Sequence, residues 1–164
     1  MKLKNVCTLR GHRGPVLNCK FSPNGKYCMS CGYDRTIKLW NPHSNLEIET
    51  YKGHSYEILD LDITPDNSKF ASCGKDRTIL LWDVEYASRG PSRRIRAHDQ
   101  TMNAVCYSFN GSVLFSGSDD RTVKIWDLLL VLLFEYFLKK YLFIFVIVQN
   151  QEILFKFWMN LQIV

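Results

Sequence analysis

Over its first 127 residues the chain alternates short apolar runs with turn formers, and beyond them it stops doing so. The middle of the chain shows the pattern most plainly. Thr64-Pro65-Asp66-Asn67 is a turn tetrapeptide, and Ser68-Lys69-Phe70-Ala71-Ser72 predicts a strand. Lys75-Asp76-Arg77 predicts a hairpin turn, and Thr78-Ile79-Leu80-Leu81-Trp82 the next strand. Ser22-Pro23-Asn24-Gly25 is the matching first turn of an earlier copy. Three strands per copy are predicted clearly. A fourth is predicted more weakly over residues 46–51 and again over 92–96, and residues 3–9 read as one more outer strand ahead of the first copy.

The unit is written three times. His12, Asp34 and Trp40 recur as His54, Asp76 and Trp82, and then as His98, Asp120 and Trp126. Each tryptophan lies 28 residues after its histidine, with periods of 42 and 44 residues between copies, and each aspartate opens an Asp-Arg-Thr turn. A repeat of this length with Gly-His at one end and Trp-Asp at the other is the pattern of a four-stranded propeller blade. On these residues the chain resembles the WD40 family. Two copies vary: Asn41 follows the first tryptophan in place of Asp, and Ala97 precedes the third histidine in place of Gly.

The resemblance implies an all-β fold, a partial propeller of three repeats over 10–51, 52–96 and 97–127. The strand at 3–9 is the one that, in the family, closes the ring by joining the last blade. The resemblance also implies a buried, hydrogen-bonded tetrad in each blade: His12, Ser30, Asp34 and Trp40; His54, Ser72, Asp76 and Trp82; His98, Ser116, Asp120 and Trp126. An indole N–H, a hydroxyl, an imidazole and a carboxylate supply complementary donors and acceptors. Ser, His and Asp are also the parts of a nucleophilic triad. Catalytic sets, however, are not stamped once per repeat, and a hydroxyl bonded inward is unavailable for attack.

By the family's pattern, ligand-facing positions lie three and five residues after the histidine and one before the turn aspartate. Here they are Pro15, Leu17 and Tyr33; Glu57, Leu59 and Lys75; Thr101, Asn103 and Asp119. Tyr33 leads them, since exposed aromatics anchor interfaces. The less generic wording, Asn41-Pro42 and Gly53-His54-Ser55-Tyr56-Glu57, resembles the WD-repeat scaffolds that organise mitogen-activated protein kinase cascades, a group also found with the spliceosome. That implies a non-enzymatic scaffold in cytoplasm and nucleus, with kinase-cascade or spliceosome proteins as partners and no cofactor, metal or small-molecule substrate. The alternative class is a substrate receptor of a cullin-type ubiquitin ligase. Such receptors usually carry Arg two positions after Trp-Asp, where this chain has His43, Glu85 and Leu129.

Charge and cysteine content narrow the picture further. The net charge is +5, and residues 1–127 carry 18 basic and 14 acidic side chains, +4, too scattered to call for nucleic acid. The one cluster, Arg89, Arg93, Arg94 and Arg96, has no aromatics interleaved for base stacking and reads as a solvated loop and outer strand. Of six cysteines, Cys28 and Cys31 form a C-x-x-C. On a strand, residues three apart point to opposite faces, so the pair cannot grip one ion. Free, mostly buried thiols of a reducing compartment are expected.

From 128 to 164 the composition changes. These 37 residues hold no Gly, Pro, Ser, Thr, Asp, Ala, Arg, His or Cys, and 27 of them are apolar. The stretch 128–148 is long enough to cross a bilayer, but Glu135, Lys139 and Lys140 fall near its middle. A buried helix is a further reading, and one apolar strand over 128–134 at the edge of the third repeat is the most the fold would accept. Translation of AT-rich non-coding sequence gives this composition, so 128–164 is expected to be intron-derived, with no membrane role. Three blades cannot close a ring of about 4–8. The chain is therefore expected to be a piece of a larger propeller, whose residues 1–127 self-associate through open edges and flanks. Sequencing transcripts across the junction of Asp127 and Leu128 is expected to find products that continue with further Gly-His and Trp-Asp repeats. Abundant spliced transcripts encoding the tail, with matching peptides in membrane fractions, would overturn that expectation.

Overall fold

The structure, a computed structural model, describes residues 7–129. Each repeat forms one antiparallel sheet whose strands lie in chain order, because short turns return the chain beside the strand it has just left. The first sheet holds β1 (Val16–Phe21), β2 (Cys28–Gly32), β3 (Thr36–Asn41) and β4 (Leu46–Lys52). The second holds β5 (Ile58–Ile63), β6 (Lys69–Gly74), β7 (Thr78–Asp83) and β8 (Arg93–Arg96), with a 3₁₀ segment, Val84–Arg89, before its last strand. The third holds β9 (Met102–Tyr107), β10 (Val113–Ser118) and β11 (Val123–Asp127). This is a partial propeller, three sheets that do not close into a barrel. The weakly marked outer strands near 46–51 and 92–96 are β4 and β8.

Two sequence expectations meet the edge of the described residues. The outer strand at 3–9 falls mostly outside them, and its described end, residues 7–9, is irregular. At the other end Leu128 and Leu129 have helical backbone instead of extending the third sheet. The Asp127 carboxylate accepts the Leu129 N–H at 2.9 Å, a capping bond that turns the chain out of the strand. The readings of 130–164 lie outside the described residues. The chain divides into units Met1–Trp126 and Asp127–Val164, and among the described residues no helix is long and apolar enough to cross a membrane.

Irregularities in the ladders recur at matching places. The register slips between Val16 and Asn18, between Ile58 and Asp60, and opposite Asn103, so Leu17, Leu59 and Asn103 stand out of their ladders as bulge residues. The neighbouring strand passes so close that a Cβ on Gly32 or Gly74 would lie 2.1 Å from the Pro15 or Glu57 carbonyl oxygen. Only glycine fits there.

The core lies between sheets. Alternation sends Met29, Cys31, Ile37, Leu39 and Tyr51 to one face of the first sheet, where Ile58, Leu61, Ile63, Phe70, Leu80 and Trp82 of the second meet them. Phe70 stacks on Trp82 with centroids 5.7 Å apart, and Tyr51 stands edge-on to both at 4.8 and 5.9 Å. The Tyr51 hydroxyl donates to the Val84 carbonyl at 2.7 Å. The opposite face of the second sheet buries Cys73 and Ile79, and the Cys73 thiol lies 3.8 Å from the Met102 carbonyl of the third.

The innermost strands are also tied by carboxylates. Asp60 accepts from Asn18 Nδ2 at 2.6 Å on one side and from the Val105 N–H at 2.8 Å on the other. Asp62 accepts from Lys20 Nζ at 3.0 Å and from the Tyr107 N–H at 2.7 Å. β5 is thereby bonded to both neighbours through side chains.

The thiols are free as expected but not mostly buried. Only Cys31 and Cys73 are buried, Cys7 and Cys28 are partly so, and Cys19 and Cys106 are exposed. The reason is position. Cys19 matches Leu61 and Val105, which are sealed by a preceding sheet, whereas Cys106 occupies the place of Lys20 and Asp62 on the polar inner side. Cys28 and Cys31 do diverge across their strand, and burial pushes the Cys31 thiol up to about 12.

Replacing Phe70 with Ala is expected to cost about 3–5 kcal/mol, because the ring fills the inter-sheet core and cannot be replaced by collapse. Urea denaturation followed by tryptophan fluorescence measures it. A loss under about 1 kcal/mol would mean that the aromatic cluster does not hold the two sheets together.

Candidate functional site

In each repeat the second and third strands (β2 and β3, β6 and β7, β10 and β11) carry the serine and the tryptophan on one face, the turn between them supplies the aspartate, and the segment before the inner strand brings the histidine. The three sets close alike. Histidine Nδ1 lies 2.8, 2.7 and 2.7 Å from the carboxylates of Asp34, Asp76 and Asp120. Histidine Nε2 lies 2.7, 2.7 and 2.8 Å from the hydroxyls of Ser30, Ser72 and Ser116. The indole N–H groups of Trp40, Trp82 and Trp126 donate to the same hydroxyl oxygens at 2.7, 2.9 and 2.9 Å. With the carboxylate ionised, Nδ1 carries the proton, so Nε2 accepts the serine O–H while the serine oxygen accepts the indole N–H.

Each aspartate does more than hold its histidine. One oxygen also accepts the backbone N–H of the residue after the histidine, at 2.9 Å for Arg13, 3.2 Å for Ser55 and 3.3 Å for Asp99. The other oxygen accepts the hydroxyl of Thr36 or Thr78 at 2.8 Å and of Thr122 at 2.6 Å, together with the same residue's N–H. Burial alone would raise these carboxyls. For Asp34 the bonds from Arg13, His12 and Thr36 override it, and for Asp76 those from His54, Thr78 and Ser55, so both are held at about 2. Asp120 is held well below the usual range, chiefly by the Thr122 hydroxyl.

The Ser-His-Asp distances resemble those of a hydrolytic triad, but access and polarity differ. Ser72 has no exposed surface and Ser116 2%. The indole N–H occupies the oxygen that a nucleophile would need free. The arrangement can hold a turn and an inner strand together. It cannot present a nucleophile to a substrate.

The nine family-derived contact positions gather at the tetrad end of the sheets. Tyr33 N–H donates to the Pro15 carbonyl at 2.9 Å, Lys75 N–H to Glu57 at 3.1 Å, and Asp119 N–H to Thr101 at 2.9 Å. The bulge residues Leu17, Leu59 and Asn103 stand beside these pairs. Tyr33 is 47% exposed, and its ring receives Lys75 Nζ at 5.4 Å from the centroid. Lys75 also reaches Glu57 at 3.4 Å, and Asn103 donates to Asp119. Pro15, Leu17, Lys75, Asn103 and Asp119 are exposed, and Glu57, Leu59 and Thr101 are half-buried. Among the described residues no group of His, Cys, Asp and Glu is placed to hold a metal ion.

Sequence reasoning missed Asp60 and Asp62. Their signal was present: two carboxylates at alternate positions of an otherwise apolar strand, 42 residues after Asn18 and Lys20. It also missed Lys38, buried on its strand and paired with Glu47 at 2.6 Å. The basic cluster divides, with Arg94 donating to the Gly53 carbonyl at 2.6 Å and Arg89 lying over Tyr86.

Repeated antiparallel sheets of three or four strands, packed face to face and each locked by the same four side chains, define a β-propeller repeat protein. The family model "WD domain, G-beta repeat" matches residues 3–41, 46–83 and 89–127, and the chain belongs to the WD40 family. It is 54% identical over 125 residues to the U5 small nuclear ribonucleoprotein 40 kDa protein of Homo sapiens, covering 75% of this chain and 34% of that protein. It is 40% identical over 121 residues to the WD repeat domain-containing protein 83 homolog of Dictyostelium discoideum, covering 73% and 36%. The chain thus spans about a third of the length of the curated relatives it matches. The solved structure of U3-55K superposes with a TM-score of 0.68 at 24% identity, over 73% of this chain and 38% of that one, a likeness of fold.

The tetrad carboxylates give the fold an acid limit. Asp34 and Asp76 are depressed from 3.8 to about 2, so their stabilisation is complete above pH about 4 and is lost as pH falls through about 2. Asp76→Ala is expected to lose about 1–3 kcal/mol at neutral pH by leaving His54 and the turn amides unpaired, and to flatten the acid limb. Circular dichroism across pH reads both effects. An acid limb identical to that of the unsubstituted protein would deny the carboxylate this role.

Proposed function

We propose that this chain is part of a non-enzymatic scaffold that assembles proteins of the pre-mRNA splicing machinery in the nucleus. The observation that carries the reading is its 54% identity over 125 residues to a 40 kDa protein of the U5 small nuclear ribonucleoprotein. The geometry supports the scaffold part. The Ser-His-Asp sets are engaged inside the tetrads, while a rim of unlike side chains around Tyr33 and Lys75 faces outward. On this reading Pro15, Leu17 and Tyr33, then Glu57, Leu59 and Lys75, then Thr101, Asn103 and Asp119, are the partner-binding residues, and Tyr33 is the anchor.

A second reading, a scaffold for kinase-cascade components with a cytoplasmic pool, is favoured by Asn41-Pro42 and the Gly53–Glu57 wording. The two readings share a rim and differ in cargo. Affinity purification of the full chain from nuclear extract separates them, with spliceosomal small nuclear RNA as the readout. The expected outcome is enrichment of the U5 RNA, cut about tenfold by Tyr33→Ala. Recovery of kinases without that RNA would move the assignment to the second reading, and recovery of a cullin with its adaptor would replace both.

A further inference from the structure

We propose that the groove between the first and second sheets, at the end opposite the tetrads, docks a basic linear segment of a partner protein, with an arginine or lysine flanked by an apolar side chain. The ladders fix its place. The contact rim precedes Val16 and follows Gly32, whereas this groove lies beyond Phe21 and Cys28, at the other end of the same strands. It has a volume of about 600 Å³.

The floor and walls are apolar. Met29, Leu39 and Ile63 lie at the bottom, where the inter-sheet core reaches the surface. Tyr27, Ile48 and Tyr86 line the sides at 38%, 47% and 45% exposure, three large side chains that the fold leaves in solvent. Burying them against an aliphatic side chain would recover about 25 cal/mol for each Å² covered.

The rim is acidic. Asp66, Asp83 and Glu85 line it, no lysine or arginine does, and none of the three carboxylates forms an ion pair with a described residue. Asp66 stays ionised, held at about 2 by the hydroxyls of Thr64 and Ser68. The polarity is local, because the chain as a whole carries +5. A basic ligand therefore meets local negative charge at this groove on a chain that is net positive. Tyr86 already has the Arg89 guanidinium 4.2 Å from its ring centroid, the kind of contact an incoming arginine makes. Two complete sheets build both walls, and the exposed residues come from turns, from β4 through Ile48 and from the 3₁₀ segment, Val84–Arg89.

The test uses the full chain and two fluorescent peptides, one alternating arginine and leucine, the other alternating glutamate and leucine. Anisotropy at physiological ionic strength is expected to favour the basic peptide by about tenfold. Glu85→Lys and Tyr86→Ala are each expected to weaken it about fivefold. Asp99→Lys, the same charge change on the third repeat, leaves binding unchanged. Glu85 and Tyr86 are exposed, so thermal melts of these variants should match the unsubstituted protein. As a second measurement, Glu85→Lys should improve binding of the acidic peptide. Equal loss in Glu85→Lys and Asp99→Lys would reduce the effect to overall charge and overturn the proposal. So would absence of preference between the peptides. Concentration-dependent dimerisation lost in Tyr86→Ala, without peptide binding, would assign the groove to a second copy of the chain instead. Each readout is independent of whether spliceosomal RNA co-purifies.

Discussion

A carboxylate that stays ionised beneath a tight turn sets the terms for each repeat. The turn it supports places Arg35, Arg77 and Arg121 at φ of 62°, 63° and 68°, a region that side chains with a Cβ enter at a cost. The aspartate offsets that cost with bonds to the threonine that follows and to the histidine 22 residues before it. The same constraint explains why the spacing from histidine to tryptophan never varies. Four groups must meet within hydrogen-bond reach, and an inserted residue would part them. The period itself varies, 42 and then 44, because the two extra residues fall after Trp82, in the stretch that holds the 3₁₀ segment and reaches β8. No tetrad atom depends on that stretch.

A sheet so locked is still not sufficient alone. The same ladder position gives opposite burial according to what lies beside it. Ile37 and Ile79 have no exposed surface, while Val123, their counterpart in the third repeat, is 72% exposed. Residue type is conserved in character across these positions, and only the neighbouring sheet differs. Stability in such arrays is the sum of what each repeat holds internally and what each interface adds. The interface terms here are the aromatic cluster around Phe70 and the carboxylates of Asp60 and Asp62. The carboxylates serve a need that apolar side chains cannot, since the inner edge of β9 offers the N–H groups of Val105 and Tyr107 without a paired strand. Asp60 bears a cost for it, as burial raises its carboxyl above the ordinary value. Its contribution therefore runs against that of the tetrad aspartates, declining as pH rises through its folded value.

The strands were legible in the sequence because they rest on local spacing, alternation of two and turn tetrapeptides; the fixed offset from histidine to tryptophan exposed the repeat, and family resemblance supplied the tetrads. What could not be read depends on neighbours distant in the chain. Nothing in the residues Cys19 and Cys106 distinguishes them from Cys31 and Cys73; the latter face packed sheets, whereas Cys19 lacks the neighbour that seals Leu61 and Val105, and Cys106 stands where the other repeats carry Lys20 and Asp62. Asp60 and Asp62 look like solvent-facing positions of an amphipathic strand until the first and third sheets are set beside them. The acidic groove draws on three separated stretches, around Tyr27, Ile48 and Tyr86, and no periodicity links them. The nine rim positions came from family resemblance. The structure adds the backbone bonds that bring Pro15 to Tyr33, Glu57 to Lys75 and Thr101 to Asp119.

Those bonds bear on how such a rim can be specified. Each pairs main-chain atoms, so the positions are held by the ladder and the tetrad whatever side chains they carry. The bulges free Leu17, Leu59 and Asn103 from the ladder in the same manner. The backbone thus decides where these side chains stand, and the repeats differ in which side chains stand there. Within one chain the three repeats already show this separation, placing proline, leucine and tyrosine, then glutamate, leucine and lysine, then threonine, asparagine and aspartate on equivalent atoms. A substitution at these positions changes the exposed side chain and leaves the main-chain bonds that hold it in place. The opposite end is anchored by one backbone atom of another kind. Tyr86 belongs to the 3₁₀ segment whose first residue, Val84, accepts the Tyr51 hydroxyl at its carbonyl. The backbone of that segment is therefore coupled to the inter-sheet core, while the exposed side chains of Glu85 and Tyr86 can change without disturbing it.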